Sequence, residues 1–249
     1  LHSLFRLNDS HNEVMLCCGA HGVAAYRGYA KTLEEITLAA SFVPFESRPG
    51  NQPVSFAYSD QYLVGSFFAA SNTELSLWNL HAERRMRTMV MPTAIRSIDT
   101  GKAANLLFTL DVNGGVGMLD LRVPTMNIAA LKTVSNGTYI ASAMGGCAVA
   151  VEGGALQYFD GRMTSKPLWR AIPGRAGSPS AVTCLAGTRL ANVVACGTAD
   201  EFLLLDSRTG ERLWRDEVAD VAVARFAGGN GIKVATADTT GGLRVYDFA

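Results

Sequence analysis

Residues 192–217 read NVVACGTADEFLLLDSRTGERLWRDE, and this stretch is the most informative about the fold. Two apolar runs flank a turn at Thr198-Ala199-Asp200. A second turn, Asp206 to Gly210, leads into a third run that carries Trp214. Apolar runs separated by short polar turns are typical of antiparallel strands joined by hairpins. Strand, tight turn, strand, turn and strand make up most of one blade of a β-propeller.

The same unit recurs along the chain. Its clearest marker is an apolar run that ends at a small polar residue, and we call that residue the anchor of its repeat. Successive anchors are 41, 40, 46 and 41 residues apart, which matches the roughly 40–45-residue period of a propeller blade. A weaker copy, ending at Arg27, precedes them. The five clear anchors are Asn79, Asp120, Asp160, Asp206 and Asp247.

Each repeat also contains a first strand and a hairpin before its anchor. Asn113-Gly114-Gly115 and Gly241-Gly242 are strong hairpin signals, because such turns need φ > 0. A variable outer run that mixes charged and apolar residues follows Arg27 and every clear anchor except Asp247, as suits an edge strand. We therefore expect an all-β fold over residues 1–249: a single propeller of six blades, with seven as the alternative, each a four-stranded antiparallel sheet.

The last repeat stops at Ala249, directly after its third strand. Leu1 to Leu7 is needed as the first strand of the first blade, so it cannot also supply the missing outer strand. We expect either a trimmed chain, as a start at Leu1 rather than Met suggests, or a ring that stays open. An open blade exposes unpaired backbone donors and acceptors, which favours strand addition by a partner.

Composition narrows the classes of partner. Apolar residues make up 48% of the chain, enough to fill a core, and 22 basic residues balance 22 acidic ones. Nucleic-acid binding usually needs a basic excess or stripe, so we expect no nucleic-acid partner. No apolar run approaches the roughly 20 residues that span a bilayer, so we expect no membrane insertion.

No catalytic residue, cofactor site or metal site is predicted. The five cysteines form no Cys-x-x-Cys pair, which disfavours zinc and indicates reduced thiols in a cytoplasmic or nuclear compartment. The chain has four histidines and no Gly-x-Ser-x-Gly nucleophile signature. Asp111, Asp200 and Asp238 lie at hairpin turns, where we interpret them as turn caps. We expect a protein that is not an enzyme.

The chain resembles the WD-repeat family. The best match runs from Ala70-Ser71-Asn72 to Leu77-Trp78-Asn79, which is similar to the family's serine–aspartate turn and a strand that ends in Trp-Asp. The family's Gly-His pair is missing from every repeat. The resemblance covers nearly all of the chain and implies a propeller that serves as a protein–protein interaction scaffold within a larger complex. The chain is also similar to coat and nuclear-pore propellers, whose six-bladed ring is completed by a partner's strand.

Three successive repeats carry Asp-x-Arg at the anchor, which should bring three arginines out on one rim. This resembles the box that substrate receptors of cullin–RING ubiquitin ligases use to dock their adaptor, and that role is our first alternative. A purely structural alternative is that each arginine pairs with the aspartate of its own motif. The three motifs are Asp120-Leu121-Arg122, Asp160-Gly161-Arg162 and Asp206-Ser207-Arg208.

Two tryptophans also suggest contact surfaces. Trp169 and Trp214 either pack between blades or form a hydrophobic rim patch for a partner, whereas Trp78 is expected in the core. The segment from Asp206 to Gly210, followed by Trp214, resembles the Asp-x-x-Thr-Gly…Trp signature of quinone-dependent propeller enzymes. That enzyme is our second alternative, although the chain has neither an acidic calcium cluster nor eight repeats.

Overall fold

The computed structural model describes 17 stretches of the chain, and all regular structure within them is β-strand. No helix in these stretches has the length and apolar character needed to cross a bilayer. The described residues are 3–9, 12–19, 22–27, 37–42, 52–59, 62–69, 72–80, 82, 84–100, 106–123, 129–131, 136–162, 165–175, 178–188, 191–218, 220–227 and 232–248.

The chain forms two compact units, residues 1–98 and residues 99–249. The first unit holds two four-stranded sheets whose neighbouring strands are antiparallel and adjacent in sequence. Sheet 1 has the order β1 (Ser3–Asp9), β2 (Asn12–Gly19), β3 (Gly22–Arg27) and β4 (Thr37–Phe42). Sheet 2 has the order β5 (Gln52–Ser59), β6 (Tyr62–Ala69), β7 (Asn72–Asn79) and β8 (Arg84–Met91).

Four further sheets follow, and the division between the units falls within β9. Sheet 3 contains β9 (Ile95–Thr100), β10 (Leu106–Asp111), β11 (Val116–Asp120) and β12 (Ala129–Leu131). Sheet 4 contains β13 (Gly137–Ala143), β14 (Gly146–Val151), β15 (Leu156–Asp160) and β16 (Trp169–Ala171).

A two-stranded hairpin, β17 (Gly174–Arg175) and β18 (Ser178–Pro179), comes next. Sheet 5 contains β19 (Val182–Gly187), β20 (Val193–Thr198), β21 (Phe202–Asp206) and β22 (Arg212–Asp216), and sheet 6 contains β23 (Val221–Ala227), β24 (Ile232–Asp238) and β25 (Leu243–Phe248).

The core of the second unit lies between successive sheets. Every residue of β14 and of β20 is buried, because both faces of these strands are covered. Strands covered on both faces read as continuous rather than alternating apolar runs. Between sheets 4 and 5, Leu156 and Tyr158 pack with Leu203 and Leu205. The first strands also pack in sequence, with β13 against β19 and β19 against β23.

Aspartate caps shape two of the hairpins. Oδ1 of Asp111 accepts the N–H groups of Asn113 and Gly115, each at 2.8 Å. Oδ1 of Asp238 accepts N–H groups two and four residues later, at 2.9 and 2.8 Å. The intervening Gly241 has φ +89°, a conformation that side chains other than glycine rarely adopt. The capping role predicted for these two aspartates is confirmed. At the Asp200 turn, Oγ1 of Thr198 instead accepts the N–H groups of Asp200 and Glu201.

Much of the predicted strand pattern is confirmed. The third strands of sheets 1 to 5 end at the predicted residues, and β25 passes Asp247 by one residue. Trp78 is buried, as expected. Sheet 6 has three strands in the part of the chain that the structure describes. The number of blades and the closure of a ring stay predictions. Ala70, Ser71, Ala249 and all four histidines (His2, His11, His21 and His81) lie outside the described residues.

The hairpin β17–β18 was not expected. It lies within the longest anchor spacing, the 46 residues from Asp160 to Asp206, and it accounts for that extra length. Strands of two residues are too short to show the alternation by which strands are recognised in a sequence. The outer strand of sheet 4, β16, has three residues, and three residues of β12 in sheet 3 are described.

Candidate protein-interaction site

Within the described part of the chain, β25 is the last strand of sheet 6. β25 pairs with β24 along its whole length, from Leu243 opposite Ala237 to Phe248 opposite Ile232. No strand pairs with its other side among the residues that the structure describes. The described residues thus contain no counterpart in sheet 6 of β16, the fourth strand of sheet 4, or of β22, the fourth strand of sheet 5. Backbone groups along such an edge can pair with another strand.

One face of β25 packs on sheet 5. The ring centroids of Tyr246 and Phe248 lie 4.9 and 5.1 Å from that of Trp214. The Tyr246 hydroxyl donates to Oδ2 of Asp216 at 2.9 Å. Burial raises the pKa of Tyr246, and the hydrogen bond to Asp216 adds to that increase. Trp214 therefore anchors sheet 6 to sheet 5.

The opposite face of β25 is uncovered. Leu243 is 73% exposed and Val245 is 65% exposed. These residues lie four and two positions before the anchor Asp247. In sheets 2, 4 and 5 the side chains at the same two positions are at most 5% exposed. Sheet 6 therefore exposes to solvent a surface whose equivalent is buried in those three sheets. The buried counterparts are Leu75, Leu77, Leu156, Tyr158, Phe202 and Leu204.

Charged side chains border this surface. Nζ of Lys233 lies 2.7 Å from Oδ2 of Asp247, which pairs the two charges on the uncovered face. On the face toward sheet 5, Nη1 of Arg244 lies 3.8 Å from Oδ2 of Asp216. The same oxygen accepts the Tyr246 hydroxyl. Arg244 remains half exposed and is the basic side chain of the open edge strand.

The three Asp-x-Arg motifs adopt one turn geometry. In each, Oδ1 of the aspartate accepts the backbone N–H of the arginine two residues later, which fixes the start of the loop after the third strand. All three arginine side chains are exposed. The N–H to Oδ1 distances are 2.9 Å for Asp120 and Arg122, 2.8 Å for Asp160 and Arg162, and 2.7 Å for Asp206 and Arg208.

Two of these arginines also pair with their own aspartates. Nη2 of Arg122 lies 2.6 Å from Oδ2 of Asp120, and Nη2 of Arg208 lies 3.4 Å from Oδ2 of Asp206. The hydrogen bond from the Arg122 side chain lowers the pKa of Asp120. Burial raises the pKa of Asp206, but hydrogen bonds from Arg208 and Thr209 outweigh it, and the net pKa is lowered. Pairing within the motif thus coexists with exposure of the guanidinium groups.

Trp169 docks sheet 4 against sheet 5. Its ring stacks on Tyr158, with centroids 5.6 Å apart and planes 7° from parallel. Its Nε1–H donates to the backbone oxygen of Ser207 at 2.8 Å. A Cβ added at Gly210 would lie 2.7 Å from Cδ2 of this ring. Trp169 and Trp214 both lie between neighbouring sheets, which is one of the two interpretations made from the sequence. A partner-binding role for them stays a prediction.

A buried carboxylate, Glu201, links two elements of the second unit. Glu201, 1% exposed, pairs with Nε of Arg215 at 2.7 Å, and its Oε1 accepts the N–H of Gly174 at 2.6 Å. This links the hairpin β17–β18 to sheet 5. Among the described residues, no group of three or more His, Cys, Asp or Glu side chains is arranged to hold a metal ion.

Comparison with known proteins bears on the fold. The sequence matches no protein-family model and no curated protein. The structure is similar to Raptor from Chaetomium thermophilum, with a TM-score of 0.77 at 15% identity over 99% of this chain. It covers 24% of that chain, about a quarter of its length. It is also similar to a chain of a mitotic checkpoint complex, with a TM-score of 0.70 at 14% identity, covering 95% of this chain and 71% of that one. These similarities and the all-β sheets together support a WD40-like propeller fold.

Proposed function

We propose that this chain is a non-enzymatic propeller subunit of a larger protein complex, a scaffold that binds other protein subunits. Its main docking point is sheet 6, where a partner contributes the fourth strand beside β25. The observation that carries the proposal is the exposure of Leu243 and Val245 on β25, which has no second neighbouring strand among the described residues. Strand addition combines main-chain hydrogen bonds with contacts of alternate side chains, and this edge offers both.

The similar solved structures fit this role. One of them is a chain of a mitotic checkpoint complex, which is an assembly of proteins. At 14–15% identity these structures bear on the fold alone, and a propeller hosts many functions. The support for a binding role therefore comes from the edge and the apolar side chains of sheet 6.

The proposal predicts that polar substitution of the edge removes partners without unfolding the chain. Leu243→Lys and Val245→Lys change side chains that are exposed, so the fold should tolerate both. Tagged wild-type and variant proteins are purified from the native source, and their copurifying subunits are compared by quantitative mass spectrometry. We expect one set of subunits to be lost from both variants.

The matched control is Val112→Lys, which places the same charge at a position that is 59% exposed in the β10–β11 hairpin. This variant should retain every subunit. If Leu243→Lys and Val245→Lys also retain them, sheet 6 is not the docking point. Circular dichroism and the melting temperature Tm of each purified variant establish that the fold is intact.

The row of arginines favours a second candidate, a substrate receptor of a cullin–RING ubiquitin ligase. It rests on the repetition of one exposed Asp-x-Arg turn in three successive sheets and on the resemblance of that motif to the adaptor-docking box. In this candidate Arg122, Arg162 and Arg208 contact the adaptor, and guanidinium groups suit such recognition because they offer five N–H donors.

Copurification of a cullin adaptor separates the two candidates. The double variant Arg162→Ala and Arg208→Ala should lose the adaptor, whereas Arg170→Ala, an exposed arginine on β16 of sheet 4, should retain it. Absence of the adaptor from the wild-type preparation would remove this candidate.

We also propose that the protein resides in a reducing compartment, the cytoplasm or the nucleus. All five cysteines are unpaired, and four are buried. Burial raises the pKa of Cys18 to about 12 and that of Cys184 to about 11, which suits structural thiols. Fluorescence microscopy of the tagged full-length protein tests this, and a secretory-pathway pattern would contradict it.

A further inference from the structure

We infer that β8, the outer strand of sheet 2, is a second docking surface, and that it binds an extended acidic segment of a protein partner. The segment lies along the open side of β8, with acidic side chains opposite Arg84, Arg85 and Arg87. This surface shares no residue with sheet 6, so the inference goes beyond the strand addition proposed there. It follows from the pairing of β8, the charge of its arginines and the exposure of its apolar side chains.

β8 is the outer strand of a four-stranded sheet, and the chain continues beyond it into sheet 3. It pairs with β7 from Arg84 opposite Asn79 to Met91 opposite Thr73, and no strand pairs with its other side in the described stretches. It runs for eight residues, whereas the outer strands β16 and β22 have three and five. Its outward backbone groups offer a long row of hydrogen-bond donors and acceptors to an added strand.

The positive charge of the chain is concentrated on β8. This strand contains three arginines and no acidic residue, although the net charge of the whole chain is zero. Arg84 and Arg85 are exposed, and neither forms an ion pair with another described residue. Opposite charges on facing residues of neighbouring strands attract each other, and like charges repel. Charge complementarity therefore favours an acidic strand at this edge.

A bulge distributes the arginines over both faces of the sheet. Leu77 faces Arg87, but the next residue of β7 faces Arg85, so Met86 is the extra residue of β8. Facing residues lie on the same side of a sheet, and successive residues alternate. Arg84 and Arg87 consequently lie on one face and Arg85 lies on the other. An added strand, whose own side chains also alternate, meets an arginine on each face.

Protection of an exposed edge does not by itself account for this pattern. Charged residues on an outer strand hinder pairing between sheets, yet β4 of sheet 1 has no charged residue and β16 of sheet 4 has only Arg170. β8 also exposes apolar side chains, Met86 at 39% and Val90 at 62%. These side chains offer an added strand apolar contacts beside the ion pairs, as strand addition requires.

Other occupants complement β8 less well. A second copy of the strand would bring three more arginines and no acidic residue to the edge. A nucleic acid could neutralise the arginines but has no strand backbone with which to continue the sheet. An acidic peptide segment satisfies the charges and the backbone groups together.

A peptide titration tests this inference. The acidic peptide Val-Thr-Val-Glu-Thr-Glu-Glu, and a counterpart with glutamine in place of every glutamate, are each titrated into the whole isotope-labelled chain while amide signals are followed by NMR. The acidic peptide should shift the signals of β8 and bind about tenfold more tightly than the glutamine peptide. Its affinity should fall as the salt concentration rises. Equal binding of the two peptides, or no shift in β8, would overturn the inference.

Charge reversal on the chain locates the site. The double variant Arg84→Glu and Arg85→Glu should lose the preference for the acidic peptide. The matched control is Arg170→Glu with Arg212→Glu, which changes two exposed arginines of the outer strands β16 and β22 and should keep the preference. All four side chains are exposed, so the fold should tolerate both changes, and Tm measurements check this. Loss of the preference in both double variants would mean that the peptide responds to net charge and not to β8.

Two further measurements separate this inference from its alternatives. An oligothymidylate of the same net charge as the acidic peptide is titrated in the same way, and tighter binding of the oligonucleotide at β8 would overturn the assignment to a protein partner. The Val245→Lys variant should bind the acidic peptide as the wild type does, because the surface on β8 does not involve sheet 6. Failure of the peptide to bind β8 would leave the docking proposed at sheet 6 standing.

Discussion

At the scale of single residues, the contact between Trp169 and Gly210 connects two sheets. Gly210 has φ +75°, and its missing side chain makes room for the indole ring, which also donates to the Ser207 carbonyl. The sequence left two alternatives for Trp169, which were packing between blades and a hydrophobic rim patch. Which one holds depends on the distance between segments almost 40 residues apart, and the order of residues in a single sequence does not contain that distance.

Gly210→Ala should therefore cost more than backbone strain alone. We expect a loss of about 2–4 kcal/mol in the free energy of unfolding, because the new methyl group meets the indole in addition to straining φ. Gly241→Ala is the matched control, since Gly241 also has positive φ but has open space around its Cβ position. It should cost about 1 kcal/mol. Equal losses in urea denaturation would show that Trp169 does not dock on this turn.

The Asp238 turn predicts a pH dependence. The Thr240 hydroxyl and the Gly242 N–H both donate to this carboxylate and lower its pKa in the folded protein. A carboxylate with a lowered folded pKa contributes stability that is complete above its unfolded pKa, about 3.9, and is lost as the pH falls through the folded value. Asp238→Asn should therefore flatten the fall in Tm below about pH 4. Parallel Tm curves for the variant and the wild type between pH 2 and pH 7 would contradict this.

At the scale of strands and sheets, the sequence best predicted the elements whose conformation is determined by their own residues and not by distant contacts. Apolar runs predicted the second and third strands, and Asn-Gly-Gly and Gly-Gly pairs predicted their turns. The short strands β12, β16, β17 and β18 carry too few residues for such a pattern. Nor could the sequence show that Leu243 and Val245 are exposed, since similar aliphatic residues are buried at the same positions in other sheets. Burial there depends on the neighbouring sheet.

Trp214 should control the stability of sheet 6 as an element. It contacts Tyr246 and Phe248 at the junction of sheets 5 and 6. Trp214→Ala should lower the free energy of unfolding by about 3 kcal/mol and speed hydrogen exchange in β23, β24 and β25 more than in β13, β14 and β15. Uniform acceleration in all six strands would mean that the tryptophan does not act on sheet 6 in particular.

At the scale of the whole molecule, the second unit combines covered sheets with one uncovered sheet. Apolar surface between sheets 3, 4, 5 and 6 is buried. On sheet 6, Leu243 and Val245 are exposed, and β25 has no second neighbouring strand in the described stretches. An exposed apolar surface of this kind favours aggregation of the free protein. A bound partner removes that surface from water. The proposed scaffold role thus follows from the packing of one sheet, and it does not depend on any reactive group.

Hydrogen exchange of β25, measured on the free chain and on the complex purified with its native partner, tests the central claim most directly. Strand addition ties up the outward-facing amide and carbonyl groups of Leu243–Phe248. We predict that the complex protects these amides strongly, and protects the inner strand β23 much less. A complex in which β25 exchanges as fast as in the free chain, while protection appears elsewhere, would contradict the claim.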